Sequence, residues 1–340
     1  MPTKCEKLAA VLKNARHLYI ILQDYPDPDA IASAAALREL ARQRYSLGSS
    51  LVFGGVVGRV ENRALLRYLD LTLRPFDAVN MVEHPCLALV DTQPGMGNNC
   101  LPDTIIPHIV IDHHPITRAT RQAAYTDIRR RYGATSTILY EYLRESKIPL
   151  TPPLATALLY GIRSDTQDLG RENTRADMEA TLALFPLANI RMYHNIQQAS
   201  VSTPYYRLLA SALHETWQCG PALVSLPGRI DTPDAIGEIA DLLLRHESCQ
   251  WSLSIGLFDN RYLLSMRTIA PKANAGQTMR RLVDGQGTGG GHRMLAGGQI
   301  PIPDPPAKRD KKLEEVLMRR FLRMVARGGG KPRRLLDPSA

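Results

Sequence analysis

Short runs of consecutive apolar residues punctuate the first third of the chain, at 18–22, 51–53, 87–90 and 109–111. Segments 28–42 and 61–69 lie between them and read as helices, the first with Leu37 and Leu40 on its inner side. Short, wholly apolar strands separated by helices predict a mostly parallel sheet flanked by helices, the signature of an α/β domain. Asp27 is placed to cap the helix that Pro28 opens. Further helices are expected at 135–144, 154–162 and 174–184, and a helical, connecting stretch at about 187–212. From Glu215 the texture changes. Strands are expected at 222–226, 251–258 and 262–267, with a turn at 258–261 and helices at 232–245 and 273–283. Seven of the 24 glycines lie in the fourteen residues 285–298, which reads as a glycine-dense loop in a smaller mixed α/β domain. The expected division is a first domain at 1–200, a linker at 201–213, a second domain at 214–306 and a basic helical tail at 307–340.

Composition changes this picture little. Of 340 residues, 44% are hydrophobic and 22% charged, as in ordinary globular chains. No apolar run approaches the roughly 18–20 residues of a membrane span. The five cysteines are odd in number, scattered and without a CxxC, which points to a reducing compartment and a cytoplasmic location. The net charge of +9 is local: residues 307–334 hold eleven Lys/Arg against three Asp/Glu, leaving 31 basic and 30 acidic residues elsewhere. There, Leu313, Val316, Leu317, Phe321, Met324 and Val325 recur at helical spacing among Arg319, Arg320, Arg323 and Arg327. Such a helix either packs on its own protein or faces RNA, anionic lipid or an acidic partner.

The residues that carry chemistry stand where the strands end. The first apolar run leads into Gln23-Asp24-Tyr25-Pro26-Asp27-Pro28-Asp29, the third ends at Asp91, and the fourth at Asp112-His113-His114. Asp165 follows a helical segment. Ligands of open α/β sheets bind beyond the carboxyl ends of the strands. Carboxylates gathered there repel one another unless cations neutralise them. With imidazole among the donors, Mn²⁺ or a related ion fits best. An aspartate between two such ions bridges them at about 3.5–4 Å, the geometry of metal-assisted phosphoryl transfer.

Asp112-His113-His114 after an apolar strand, with Pro26-Asp27-x-Asp29 after the first, resembles the DHH phosphoesterase superfamily. Gly289-Gly290-Gly291-His292-Arg293, followed by Gly297-Gly298, is similar to the signature of its associated substrate domain, DHHA1. In arrangement the chain resembles the nano-RNases that also dephosphorylate 3′-phosphoadenosine 5′-phosphate, and the cyclic-dinucleotide phosphodiesterases of that branch. The resemblance spans about residues 15–302. It implies two Mn²⁺ sites, with Mg²⁺ or Co²⁺ as alternatives. Asp27 would serve the first ion, Asp29 the second, and Asp91 would bridge both. His113 and Asp165 would complete the second, His114 would face the substrate phosphate, and Asp112 would orient histidine. Gly289, Gly290 and Gly291 would let the backbone approach substrate, with His292, Arg293 and Arg267 as positive donors. One position departs. The family usually has histidine four residues before the first aspartate, where this chain has Gln23, whose amide oxygen is a weaker donor to a transition metal.

The expected function is therefore hydrolysis of a small nucleotide, whether a short oligoribonucleotide, 3′-phosphoadenosine 5′-phosphate, or a cyclic or linear dinucleotide. The alternative is a nucleotide- or RNA-binding protein with weakened chemistry on the same fold. Either leaves room for a homodimer. A processive enzyme on long polyanions is disfavoured, because outside the basic segment the chain is nearly neutral.

Overall fold

The apolar runs of the first half become parallel strands of a single sheet. In chain order the elements are α1 (Lys4–Leu12), β1 (His17–Ile21), α2 (Pro28–Tyr45), β2 (Ser49–Phe53), α3 (Val60–Tyr68), β3 (Leu73–Pro75) and β4 (Pro85–Val90). There follow β5 (Ile109–Asp112), β6 (Tyr125–Ile128), α4 (Thr135–Glu145), α5 (Pro152–Asp165), α6 (Arg175–Leu184) and α7 (Ile190–Gln197). The computed structural model describes residues 3–76, 81–170, 173–291, 293–302, 309–326, 328 and 330–336. The chain divides into two compact units, Met1–Ser200 and Val201–Ala340.

The first unit's sheet has the order β3-β2-β1-β4-β5-β6, with every pairing parallel. The chain builds outward from β1 on one side and from β4 on the other. The topological switch point therefore lies between β1 and β4, the place where open α/β sheets bind ligands beyond their carboxyl ends. Leu18, Ile20, Ala88, Val90, Ile109 and Ile111 face the main core with the helices. On the other face, Ile21, Leu87, Leu89 and Val110 form a smaller cluster with Leu101. Helix α2 is alanine-rich and buried on most sides of its first three turns, which lets it lie close against α4 and α5.

The second unit comprises α8 (Thr203–His214), β7 (Thr216–Cys219), β8 (Ala222–Arg229), α9 (Ala235–Leu244), β9 (Trp251–Phe258) and β10 (Arg261–Thr268). It continues with α10 (Ala275–Val283), β11 (Thr288–Gly291), β12 (Leu295–Pro301), α11 (Lys311–Val325) and β13 (Arg333–Arg334). Its mixed sheet has the order β11-β12-β10-β9-β8-β7-β13, with β8 and β9 parallel across the α9 crossover. Three expectations change here. The segment expected as a linker contains α8, part of the second unit. The glycine-dense stretch is an antiparallel hairpin of β11 and β12, with Gly289 opposite Gly298 and Gly290 opposite Gly297. The basic tail is built into the unit rather than appended to it. Leu317, Met318, Phe321 and Leu322 are buried against β8, β9 and β10 residues, and β13 pairs with β7. Arg309 anchors the start of α11 by donating to the buried Glu314 (2.5 Å) and to the Leu226 carbonyl (2.7 Å). Apart from the exposed Val316, the tail's apolar stripe is thus committed to its own core. Among the described residues, no helix is long and apolar enough to cross a membrane.

Candidate metal centre

The loops that leave β1, β4 and β5 converge at the switch point. Each delivers a carboxylate for a local reason. Asp27 caps α2, accepting from the Ala30 N–H at 2.9 Å, and this turn places Asp29 in the first turn of the helix. Asp91, directly after β4, adopts a left-handed backbone with φ of 59°, a conformation that Asp and Asn tolerate better than most residues. Asp112 ends β5 and is completely buried. Asp165 arrives from the last turn of α5, and Gly161 makes that approach possible. A Cβ at 161 would lie 2.6 Å from Ser136 Oγ and 3.2 Å from Asp29 Cα, so only glycine lets α5 lie this close.

The two histidines are aimed by different partners. His113 Nδ1–H donates to the Tyr132 carbonyl at 3.0 Å, which presents Nε2 to Asp165 Oδ2 at 3.1 Å and Asp91 Oδ1 at 3.6 Å. A backbone carbonyl on one ring nitrogen and carboxylates at the other is the arrangement that orients a metal-binding imidazole. His114 Nδ1 instead donates to Asp112 Oδ1 at 2.8 Å. The same oxygen accepts from the His113 and His114 main-chain N–H groups, at 2.7 and 3.2 Å. Asp112 is thereby a fixed hub under both rings.

Electrostatics show what the cluster lacks. Burial, then the charge of Asp165, raises the Asp27 carboxyl. Burial and Asp165 push Asp29 up to about 7. Burial, then Asp29 and Asp27, raise Asp91 well above the carboxylate range. Burial alone would lower His113, but its bond to Asp165 and the charges of Asp165, Asp91 and Asp29 outweigh it and raise the ring well above normal. For Asp112, burial is overcome by His114, His113 and Gln93, so this carboxyl stays below its ordinary value. Burial and mutual repulsion thus oppose the ionised form of these carboxyls, and a bound cation would relieve both.

Two groups of donor atoms lie within 4.8 Å of one another among the described residues: Asp91, Asp112, His113 and His114, and Asp29, His113 and Asp165. A set of carboxylates with imidazole fits a divalent transition metal. The three side chains assigned to a second ion thus come together, with Asp91 beside them. Asp27 belongs to neither group. Gln23 stands next to them, but its amide nitrogen, not its oxygen, is turned to Asp91 Oδ2 at 3.5 Å.

Two further contributors were not visible in the strand-end pattern. Gln93, wholly buried, donates to Asp112 Oδ2 at 2.6 Å and to the His114 and Pro115 carbonyls at 3.3 Å each. Its oxygen accepts from Thr117 N–H (2.9 Å) and the Thr120 hydroxyl (2.8 Å). The start of α4 is the other. Thr135 and Ser136 donate their main-chain N–H groups to Asp29 at 2.7 Å each, and the Thr135 hydroxyl donates to Asp91 at 2.9 Å. Gln93→Leu is expected to cost about 2–4 kcal/mol, because it strands several buried polar groups at once. Urea unfolding checks this, and an unchanged midpoint would show that the contacts carry no weight.

A description of the DHH family, N-terminal domain, matches residues 18–162. The chain is also 32% identical over 331 residues to the uncharacterized protein MJ1633 of Methanocaldococcus jannaschii, covering 95% of this chain and 67% of that protein. The chain thus carries a DHH family N-terminal domain at residues 18–162. A second relative is a probable manganese-dependent inorganic pyrophosphatase of Staphylococcus saprophyticus, 25% identical over 173 residues, or 51% of this chain and 55% of that one. Among solved structures, an exopolyphosphatase-related protein from Bacteroides fragilis shares the fold, with a TM-score of 0.72 at 14% identity over 94% of this chain and 96% of that one. In this DHH protein, the matched residues include Asp27, Asp29, Asp91 and Asp112–His114, and Asp165 lies just beyond them.

The second unit holds the remaining candidates. Helix α10 lies directly on the glycine hairpin: a Cβ at Gly289 would meet Met279 at 2.9 Å, and one at Gly298 would meet it at 2.7 Å. These two glycines therefore serve packing. The facing pair, Gly290 and Gly297, points the other way, and a Cβ there would meet nothing closer than 4.0 Å. Gly291 is strained for any other residue, with φ of 143°. Arg293 is exposed at the hairpin turn, and His292 lies outside the described residues. Arg267 is engaged: it donates to Asp241 at 2.6 Å and to the Ser265 hydroxyl at 2.8 Å.

Proposed function

We propose that this chain is a divalent-metal-dependent phosphoesterase of small nucleotide substrates. The observation that carries the reading is the convergence of Asp29, Asp91, Asp165 and His113 at the switch point of a parallel sheet, with His114 beside them. Asp29, His113 and Asp165 would hold one ion, with Asp91 shared towards a second held by Asp27 and Gln23. Mn²⁺ is the preferred ion, on the mixed oxygen and nitrogen donors and on the relative named as manganese-dependent. Bound there, divalent cations supply charge neutralisation, polarisation of phosphoryl oxygens and a water of lowered pKa.

The chain's own residues do the rest. Asp112 accepts the His114 Nδ1–H and fixes the ring plane, so that with both ring nitrogens protonated Nε2–H would donate to a phosphoryl oxygen. Tyr132 does the equivalent for His113, through Nδ1. Thr135 holds one oxygen of Asp91, limiting its rotation. In the second unit, the open face over Gly290 and Gly297 leaves room for a phosphate or ribose, and the exposed Arg293 would supply a positive donor.

A turnover screen with Mn²⁺ over dinucleotides, 3′-phosphoadenosine 5′-phosphate and cyclic dinucleotides tests the reading. Release of product from at least one, abolished by chelator, is expected; silence across the panel contradicts it. Glutamine at position 23, a weaker donor to a transition metal than imidazole, favours a second reading, a nucleotide binder with a weakened first ion site. Gln23→His separates the two. It should tighten the weaker Mn²⁺ binding event about tenfold, roughly 1.4 kcal/mol by calorimetry, and raise turnover at limiting metal. Unchanged affinities would remove Gln23 from the ligand set.

A further inference from the structure

We propose that Asp177, on α6, is a positioning residue that locks the start of α4 and so presents Asp29 and Asp91. The consequence for metal rests on the function proposed above; the lock itself does not.

The Asp177 carboxylate is completely buried, and it takes four hydrogen bonds. Two come from its own helix end: Thr174 donates its N–H and its hydroxyl, each at 2.7 Å. Those two contacts belong to the capping box of α6. The other two come from elsewhere in the fold. Gly133 N–H donates to Oδ2 at 2.9 Å and the Thr137 hydroxyl to Oδ1 at 2.6 Å. Gly133 and Thr137 bracket the three residues 134–136, and these carry the donors to the candidate ligands. Thr135 and Ser136 N–H hold Asp29 at 2.7 Å each, and the Thr135 hydroxyl holds Asp91 at 2.9 Å.

The sequence explains why an outside partner is needed. The N-cap position of α4 is Ala134, which has no side chain able to cap the helix. Its unpaired Thr135 and Ser136 N–H groups are taken by Asp29 from α2, while Asp177 from α6 accepts from the Gly133 N–H just before the helix and from the Thr137 hydroxyl inside it. Four neutral donors and two helix N-termini stabilise the buried Asp177 charge. Fixing the bracket at both ends leaves the intervening donors one orientation. Asp29 is then aimed by a turn that Asp177 holds, without Asp177 touching any candidate ligand. Groups at this remove commonly set metal affinity.

Matched variants test the lock. Thr137→Val and Thr174→Val each delete one hydroxyl bond to the same carboxylate, but only the first lies on the α4 side. Thr137→Val and Asp177→Asn should speed amide exchange at Thr135 and Ser136 in metal-free protein. They should also weaken Mn²⁺ binding by roughly tenfold or more, read by calorimetry. Thr174→Val should lower the melting temperature while leaving exchange at those two amides, and Mn²⁺ affinity, as in the wild type. Wild-type exchange in Thr137→Val would overturn the proposal, as would equal effects of the two threonine variants. If Asp177→Asn does not fold, the threonine pair decides. If the wild type takes up no Mn²⁺, the metal reading fails and the exchange comparison still decides the lock.

Discussion

Asp91→Asn is expected to lower hydrolysis at least about a thousandfold, some 4 kcal/mol in the barrier, while leaving a folded chain. Asp91 is 2% exposed and sits where the fields of Asp27 and Asp29 meet. A carboxylate there is costly without a cation, which is why its protonated form is favoured. Asn keeps the shape, keeps an oxygen for the Thr135 hydroxyl and tolerates the left-handed backbone. Ala would add roughly 1–2 kcal/mol of backbone strain at that φ and confuse the result. Because Asn spares the cluster the cost of ionising a buried carboxyl, the metal-free variant should melt at or above the wild type. Turnover near the wild-type rate would remove Asp91 from the centre. A large fall in metal-free melting temperature would make its role one of folding.

Removing the C-terminal helix is expected to unfold the second unit, despite its appearance as a detachable basic tail. Phe321 is fully buried and stacks edge-on against Trp251, with ring centroids 6.3 Å apart, and Leu317, Met318 and Leu322 are buried beside it. Phe321→Ala alone should cost about 3–5 kcal/mol. Truncation after Ile302 deletes all four side chains, a loss comparable with the whole stability of a small domain. Denaturant unfolding followed by Trp217 and Trp251 fluorescence reads this directly. A truncated chain with an unchanged transition would show that α11 lies outside the cooperative core. Charge reversal at exposed Arg319 or Arg323, by contrast, should leave stability within about 0.5 kcal/mol.

The first unit was legible because each signal was local. Apolar runs of three to five residues, two of them followed directly by Asp, marked the strands, and β1, β4 and β5 lie within a residue or two of the runs that predict them. The short edge strands β3 and β6 carry no comparable run; they exist because a neighbouring strand offers them a ladder. The hairpin of β11 and β12 read as a loop because glycine suppresses strand propensity. Here glycine is required by α10 pressing on Gly289 and Gly298, a tertiary cause with no local trace. The cluster's supports were hidden for the same reason. Gln93 and Asp177 act across 19 and 44 residues of chain, on Asp112 and Gly133. Only Ala134, standing where a capping residue is usual, hinted that a distant carboxylate would serve.

The central claim is that the strand-end cluster is a two-ion centre joined by Asp91, and a calorimetric Mn²⁺ titration of the chelator-treated chain tests it most directly. The account predicts two Mn²⁺ per wild-type chain, with both binding events lost or sharply weakened in Asp91→Asn. Uptake of no Mn²⁺, or an Asp91→Asn chain that still takes up two ions with wild-type affinity, would contradict it.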